Sequence, residues 1–334
     1  MFELYVWGSN GQVSKISPEC LATCIYLKLS IKDSNKFTVI TSKDTSYFKL
    51  IDYVLPFLID TTNNNKVIEG YHNIIKYIKK ININYDLDDW LIEDEFSNYQ
   101  KNENNENNEN NKINKNNENL LNNHKGTNSS ISDELLNFGL ISIINDSLKV
   151  INYYYYYIND ENYNNYTCSV FKDGLSFPLN FYLPSSYKKI AEDSTIIIDL
   201  SNDKKNKVEV ELDKRLEEEL NLPKLSSLHS DLYEKNLTKL KLLKKTKINL
   251  RCLNLIENFL QDIDIYESYH NFDNNTQKSN FLFGNQITSS DIYLISNIIS
   301  LNNKDLPDNF IHSYLNLKYP KLIQLAESFD KIHI

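Results

Sequence analysis

The chain has 334 residues, of which 41% are hydrophobic, and a formal net charge of −9 at pH 7. That length suffices for two domains and a sizeable core. The negative balance excludes a general binder of phosphate backbone, which needs a basic surface, so nucleic acid is not an expected partner. Arg215 and Arg251 are the only arginines available for bidentate anion contacts.

Four cysteines, Cys20, Cys24, Cys168 and Cys252, form no CxxC pair and no metal-ligand spacing. So few in so long a chain do not make a disulfide framework, and they are read as reduced, packing thiols. The opening MFELYVWGSNGQ has neither a secretory apolar core nor the Arg-rich pattern of a transit peptide. No stretch reaches the ~18–20 apolar residues of a spanning helix, so any membrane association is expected to be peripheral.

In chain order, Phe2–Trp7 is an aromatic and β-branched run ended by the turn Gly8-Ser-Asn-Gly11. Ser17-Pro18-Glu19 carries the signs of a helix start: a capping hydroxyl, a proline in the first turn and an acid near the positive end of the dipole. Leu21, Ala22, Ile25 and Leu29 are that helix's inward stripe. Phe37–Thr41 and Leu55–Ile59 read as further strands, followed by a polar turn, Val67-Ile68, and a helix over Glu69–Ile81 with Tyr71, Ile74, Ile75 and Ile78 on one face. This order describes a small α/β layer.

Asn98–Asn128 is asparagine-rich and almost without apolar residues. It cannot bury enough surface to offset the entropy of ordering, so it reads as a disordered insertion, an aggregation-prone tract or recognition tail being the alternatives. From Ile131 the pattern turns helical. Ser132–Ile158 ends in five tyrosines, Tyr153–Tyr157. Consecutive helical residues point in different directions, which argues against one stacking platform and for an aromatic core and interface. Phe177–Pro184, with a proline at either side, is expected to be extended or kinked before a helix at Ser185–Glu192. Asp199–Leu220 is a charged run ending in Glu217-Glu218-Glu219. The repeat Leu225, Leu228, Leu232, Leu240, Leu243, then Leu250, Leu253, Ile256, Leu260, fits either a helical pair or a coiled coil.

Phe281–Leu294 carries a stronger signal. Thr288 can cap a helix, and Asp291 three residues on can reach back to the cap's own N–H, with Ile287 and Ile292 placed as a hydrophobic staple. Ile292, Ile295, Ile298 and Ile299 recur around the helix, as in a buried one. A last helix runs from Pro320 through Leu322, Leu325 and Phe329.

No phosphate loop, HExxH or GxSxG motif occurs, and the six histidines are scattered. No catalytic residue, metal or cofactor is expected. Three surfaces are candidates for partner binding: the aromatic Phe177–Leu183 segment, the lysine-rich Leu237–Lys247 helix and the acidic Glu209–Glu219 run.

An α/β half followed by an all-helical half resembles the glutathione-transferase architecture, a thioredoxin-like domain plus a helical domain. Leu55-Pro56 resembles that fold's cis-proline. Phe283-Gly284 with Thr288 and Asp291 is similar to its buried-helix signature, and Tyr319-Pro320-Lys321-Leu322 to the start of its late helix. The likeness implies a thioredoxin-like domain over 1–97, an asparagine-rich insertion over 98–130, and a helical domain over 131–334 with a charged insertion near 199–220. In transferases a Glu/Gln-Ser pair holds the glutathione carboxylate through its serine. The matching pair here is Glu69-Gly70, and the hydroxyl is gone. Ser9 and Ser17 are hydroxyls near the thiol-activating position, but neither sits in a catalytic motif and Ser17 reads as a cap. Pro18, Pro56, Gly70, Thr288 and Asp291 are therefore read as structural residues, in a transferase fold without transferase chemistry.

LYVWGSNGQVSKISPECLA, VIEGYHNIIKYI and FPLNFYLP are each similar to segments of the metaxin family, in particular the fungal metaxin-type subunit of the mitochondrial sorting and assembly machinery. The resemblance implies a non-enzymatic subunit on the cytosolic face of the mitochondrial outer membrane. It would contact the β-barrel core subunit, a second metaxin-like subunit and the entry translocase, and aid the insertion, folding or release of β-barrel precursors. Some relatives carry a C-terminal membrane segment; KLIQLAESFDKIHI shows none, so attachment through partners is expected. The alternatives are a glutathione-dependent transferase or thiol reductase, and a transferase-like interaction module of a cytosolic complex.

Overall fold

The structure, a computed structural model, describes residues 1–31, 36–81, 131–196, 227–270, 281–282 and 287–331. The asparagine-rich stretch, the charged run near 199–220 and Phe283-Gly284 lie outside these residues.

The first strand, β1 (Phe2–Val6), gives way to a small hairpin of β2 (Gly8–Ser9) and β3 (Gln12–Val13). Its two-residue turn, Asn10-Gly11, has φ of 54° and 78°, the positive values that Asn-Gly turns supply. At Gly8 a Cβ would lie 2.0 Å from the Gln12 carbonyl oxygen, so the two strands approach this closely only because residue 8 has no side chain. Helix α1 (Pro18–Ser30) follows, with the Ser17 hydroxyl accepting the Cys20 N–H at 3.4 Å and Pro18 in the first turn. Then come β4 (Phe37–Thr41), the short α2 (Tyr47–Asp52), β5 (Phe57–Asp60) after a cis Leu55–Pro56 bond, β6 (Lys66–Glu69) and α3 (Tyr71–Lys80).

The sheet order is β4-β1-β5-β6, with β1 and β4 parallel and the other pairs antiparallel. Successive β1 side chains alternate between its faces. Leu4 and Val6 are fully buried on one face, while Tyr5 on the other stacks on its cross-strand partner Phe57 at 4.5 Å. Lys49 of α2 lies over the Tyr5 ring, and Tyr53 just beyond α2 meets Phe57 at 5.2 Å. The sequence reading does not anticipate α2. It is six residues long, its N-cap Ser46 makes no side-chain capping bond, and tertiary contacts hold it, with Leu50 also packed against the core.

The second half comprises α4 (Ile131–Tyr153), a π-helical turn at Tyr154–Ile158, α5 (Asp160–Asn162), a second π turn at Tyr163–Thr167, α6 (Cys168–Gly174), α7 (Leu179–Ile196), α8 (Ser227–His270), α9 (Ser289–Leu301), α10 (Phe310–Lys318) and α11 (Pro320–Asp330). The four-stranded sheet with its helices, followed by this helical half, is the glutathione-transferase-like architecture.

All thirteen residues of α9 are buried, and α1, α4 and α11 pack around it. Polar side chains tie it to both halves. The Tyr71 hydroxyl donates to the Ser289 carbonyl at 2.7 Å, Asn137 Nδ2 to Ser289 Oγ at 3.0 Å, and Asn152 Nδ2 to Asn297 Oδ1 at 3.1 Å. The Ser300 hydroxyl reaches the Lys15 carbonyl at 2.6 Å. Satisfied buried groups of this kind fix one register of a helix that apolar packing alone would let slide. Ion pairs Lys149–Glu19 (2.6 Å) and Lys15–Asp330 (2.8 Å) cross between the halves at their margin.

The tyrosine run disperses as the helical geometry requires. The Tyr154 hydroxyl reaches Asn249 on α8, Tyr155 packs edge-on to Phe310 of α10, and the Tyr156 hydroxyl donates to the Ser300 carbonyl of α9. Tyr157 lies against Tyr187 of α7.

Two expectations need correction. The Phe177–Pro184 segment is helical from Leu179, and α7 continues through Pro184. The proline lacks one i−4 hydrogen bond, at a cost of about 3 kcal/mol, which the burial of Leu179 and Pro184 in the core offsets. From Leu228 onward the leucine repeat lies in one 44-residue helix, α8, rather than a pair, and Leu225 lies outside the described residues. Its buried residues are Ile248, Cys252, Ile256, Phe259, Leu260 and Ile263, of which Ile256 and Leu260 belong to the repeat, while Leu243 and Leu250 point outward. The expected last helix is present as α11, in which Ile323 and Ala326 are buried and Leu322, Leu325 and Phe329 are half-buried. Helix α10 is also unanticipated: it has nine residues, two of them buried, and no capping bond at Asn309.

Candidate functional site

Three features could carry function: the place where this architecture holds a substrate, the buried helix start, and the exposed apolar faces. At the first, the loop before β5 is braced internally. Glu69 accepts the Val54 N–H through Oε2 at 2.8 Å, next to the cis Leu55–Pro56 bond. Gly70 then opens α3 at φ 80°, ψ 149°, a backbone region almost confined to glycine. A serine at this position would be strained although its Cβ would meet no neighbour within 4 Å.

Ser17 is occupied as the cap of α1. Ser9 lies in the β2–β3 hairpin and lines a cavity of about 250 Å³ between that hairpin and α6. Trp7, Ser14, Phe171 and Asp173 contribute other walls. The Ser42 hydroxyl braces its edge, accepting the Gly8 N–H at 3.3 Å and lying 3.0 Å from Gly8 O and 3.1 Å from Gly174 O. Leu55, Pro56, Glu69 and Gly70 do not line this cavity.

The thiols nearby are not poised for chemistry. Burial pushes Cys20 up to about 12 and Cys24 up to about 11, so both stay protonated at neutral pH, and both are free and buried. Among the described residues no three His, Cys, Asp or Glu side chains are grouped to hold a metal ion.

At the start of α9, Asp291 is buried and collects three donors. Oδ2 accepts the Thr288 N–H at 2.9 Å and the Thr288 hydroxyl at 2.7 Å, and Oδ1 accepts the Leu282 N–H at 2.9 Å. Thr288 and Asp291 form a capping box, and the bond from Leu282, nine positions upstream, also ties the incoming chain to the helix. The groups that make these bonds are buried, among the residues that hold the start of α9. Pro18 is likewise buried, in the first turn of α1.

Of the three surfaces read from the sequence, the acidic run lies outside the described residues. The aromatic one is exposed: Phe177, Phe181 and Tyr182 are 78%, 65% and 68% accessible. On α8, Lys239, Leu242, Leu243, Lys247 and Leu250 all face solvent, whereas Lys245 is engaged with Glu161 at 2.9 Å and Asp308 at 2.8 Å. Sequence reasoning placed Leu243 and Leu250 in a helical apolar repeat; only the neighbours that α8 packs against reveal which leucines are left outside.

Comparison with known proteins adds the family. Residues 20–188 match the family model Tom37, described as an outer mitochondrial membrane transport complex protein, and residues 201–332 match the model of the Tom37 C-terminal domain. No curated protein matches the chain in sequence. Two fungal structures resemble it at low identity. The glutathione transferase GSTFuA3 from Phanerochaete chrysosporium is 14% identical, with 100% of this chain and 97% of that one covered and a TM-score of 0.47. The glutathione S-transferase CsGST63524 of Ceriporiopsis subvermispora, in complex with glutathione, is 11% identical, with 98% and 97% covered and a TM-score of 0.44. The first family model alone spans more than half of the sequence, and the second takes up most of the remainder. The chain belongs to the metaxin-like Tom37 family of outer mitochondrial membrane transport complex proteins.

Proposed function

We propose that this protein is a non-enzymatic subunit of the sorting and assembly machinery, held peripherally on the cytosolic face of the mitochondrial outer membrane. It contacts the β-barrel core subunit, a second metaxin-like subunit and the entry translocase, and aids the insertion, folding or release of β-barrel precursors. The observation that carries this reading is the family match over both halves of the chain. Three features support the absence of an active site. Gly70 stands in a backbone conformation that disfavours serine, Ser17 is committed to capping, and the cavity behind Trp7 is not lined by the cis-proline loop. The membrane attachment fits helices of which, among the described residues, none is long and apolar enough to cross a bilayer.

Affinity purification of the tagged chain from solubilised mitochondria tests the proposal. A β-barrel protein of the outer membrane should co-purify, and alkaline carbonate should release the chain from intact membranes. Retention on immobilised glutathione, or conjugation of a model electrophile, would instead establish a transferase. A purely cytosolic distribution would favour the interaction-module alternative.

A further inference from the structure

The exposed aromatic face is the feature that this function leaves unused. Phe177, Phe181 and Tyr182 stand outside the core at the start of α7, with the Phe177 and Phe181 rings in edge-to-face contact at 6.2 Å. Buried Leu175 and Leu179 anchor the backbone on either side of Phe177, so the rings are presented by a fixed helix start and not by a floppy end. Solvent-facing lysines lie on the segments next to them. Lys43, which also donates to Asn10 Oδ1 at 3.2 Å, and Lys172 line one shallow surface hollow together with Leu175 and Ser176, the residues that lead into Phe177, and Lys189 is exposed about two turns further along α7. Asp173 lies in the same hollow.

We infer that this face docks on the surface of an anionic lipid bilayer, with the three rings entering the boundary between headgroups and acyl chains and the lysines meeting lipid phosphates. The inference rests on the reading that the chain works at the outer membrane. Two observations favour a bilayer over a protein groove. The first is area. Fully covered Phe and Tyr side chains bury about 150–250 Å² each. Three rings that are roughly two-thirds to three-quarters exposed therefore offer on the order of 400 Å². That is about half of the ~800 Å² each partner gives to a stable protein interface, yet it suits a shallow anchor that adds to other attachments. The second is chemistry. Aromatic rings beside lysines are the composition of the membrane–water boundary, where a ring sits at headgroup depth and an ammonium group meets the anionic surface.

The test is flotation of the purified full chain with vesicles of phosphatidylcholine, with and without phosphatidylserine. The wild type should float with both and more strongly with the anionic vesicles. The triple variant F177S/F181S/Y182S should lose about tenfold or more in partitioning, and K43E/K172E should lose the preference for anionic vesicles. A separate Phe181→Trp variant, its emission taken as the difference from wild type, should show a blue shift on vesicles and quenching by lipids brominated along the acyl chain. This single substitution reports depth even if the triple variant fails to fold. Equal flotation of the wild type and a folded triple variant would overturn the inference, as would a Phe181→Trp variant whose added emission is unmoved by vesicles. A third refuting outcome is a wild type that ignores vesicles while the triple variant loses a co-purifying mitochondrial protein, since the face would then belong to a protein partner. Flotation involves no other subunit, so its failure is separable from failure of the co-purification that tests the function.

Discussion

Removing the Asp291 carboxylate should cost the protein about 3–5 kcal/mol of stability. In Asp291→Ala the Thr288 hydroxyl loses its acceptor but has Ser290 Oγ at 3.0 Å as a replacement. The backbone N–H groups of Thr288 and Leu282 both donate to this carboxylate and sit in the interior, and among the described residues neither has a second acceptor. A buried donor left unsatisfied costs about 1–3 kcal/mol, and loss of the negative charge at the α9 N-terminus adds about 0.3–1 kcal/mol. Against a total stability of about 5–15 kcal/mol, such a loss is large. Asp291→Asn keeps one acceptor oxygen but turns an NH₂ toward a donor, so it should fall between Ala and wild type. Thr288→Ala, which removes only the cap hydroxyl, should cost about 0.5–2 kcal/mol. Urea unfolding followed by far-ultraviolet circular dichroism measures all three. A loss below about 1 kcal/mol for Asp291→Ala, or an Asn variant no better than Ala, would refute this account of the buried box.

Gly70→Ser should destabilise the protein by about 1–3 kcal/mol, because φ 80°, ψ 149° is nearly exclusive to glycine. It should also fail to bring about retention on glutathione resin; retention would show that a missing hydroxyl was the sole barrier. With a thiol-disulfide reagent at pH 8, the half-buried Cys168 should be the one fast-reacting thiol. Cys20, Cys24 and Cys252, all buried and all raised by that burial, should react only after unfolding. Two or more fast thiols in the folded protein would contradict the packing. Burial acts to raise the Asp60 carboxyl, but hydrogen bonds from the Thr62 hydroxyl, the Tyr77 hydroxyl and the Thr62 N–H outweigh it and hold the group below the usual carboxylate range. A depressed value stabilises the fold above the unfolded value of about 3.9 and ceases to do so as pH falls through the folded one. Asp60→Asn should therefore be less stable than wild type at pH 7, with the gap closing below about pH 4. A gap independent of pH would sink that assignment.

What was legible in the sequence was local. The Asn10-Gly11 turn needs only two residues able to take positive φ, and the starts of α1 and α9 each lie within four positions of their caps, so neighbouring residues contain the whole instruction. The α/β order and the helical half were legible because periodicity over ten or more residues reports a buried face whatever that face meets. Short elements were not. Helix α2 has six residues and α10 has two buried side chains, too little pattern to stand above the surrounding chain.

The composition and patterning of this chain determined, without further help, that it makes a sheet followed by a helical bundle and that one strongly capped helix belongs in the centre. Tertiary structure alone decided which apolar residues are left over. Leu243 and Ile248 look alike in the repeat of α8, and Phe177 and Phe171 look alike around α6 and α7. Ile248 and Phe171 found partners; Leu243 and Phe177 did not. Hydrophobicity says that a side chain gains by leaving water, but it does not say whether a neighbour is there to receive it. That depends on where helices distant in sequence come to rest: the sequence nominated the Phe177–Leu183 and Leu237–Lys247 segments, and only the folded chain showed which of their side chains are left in water.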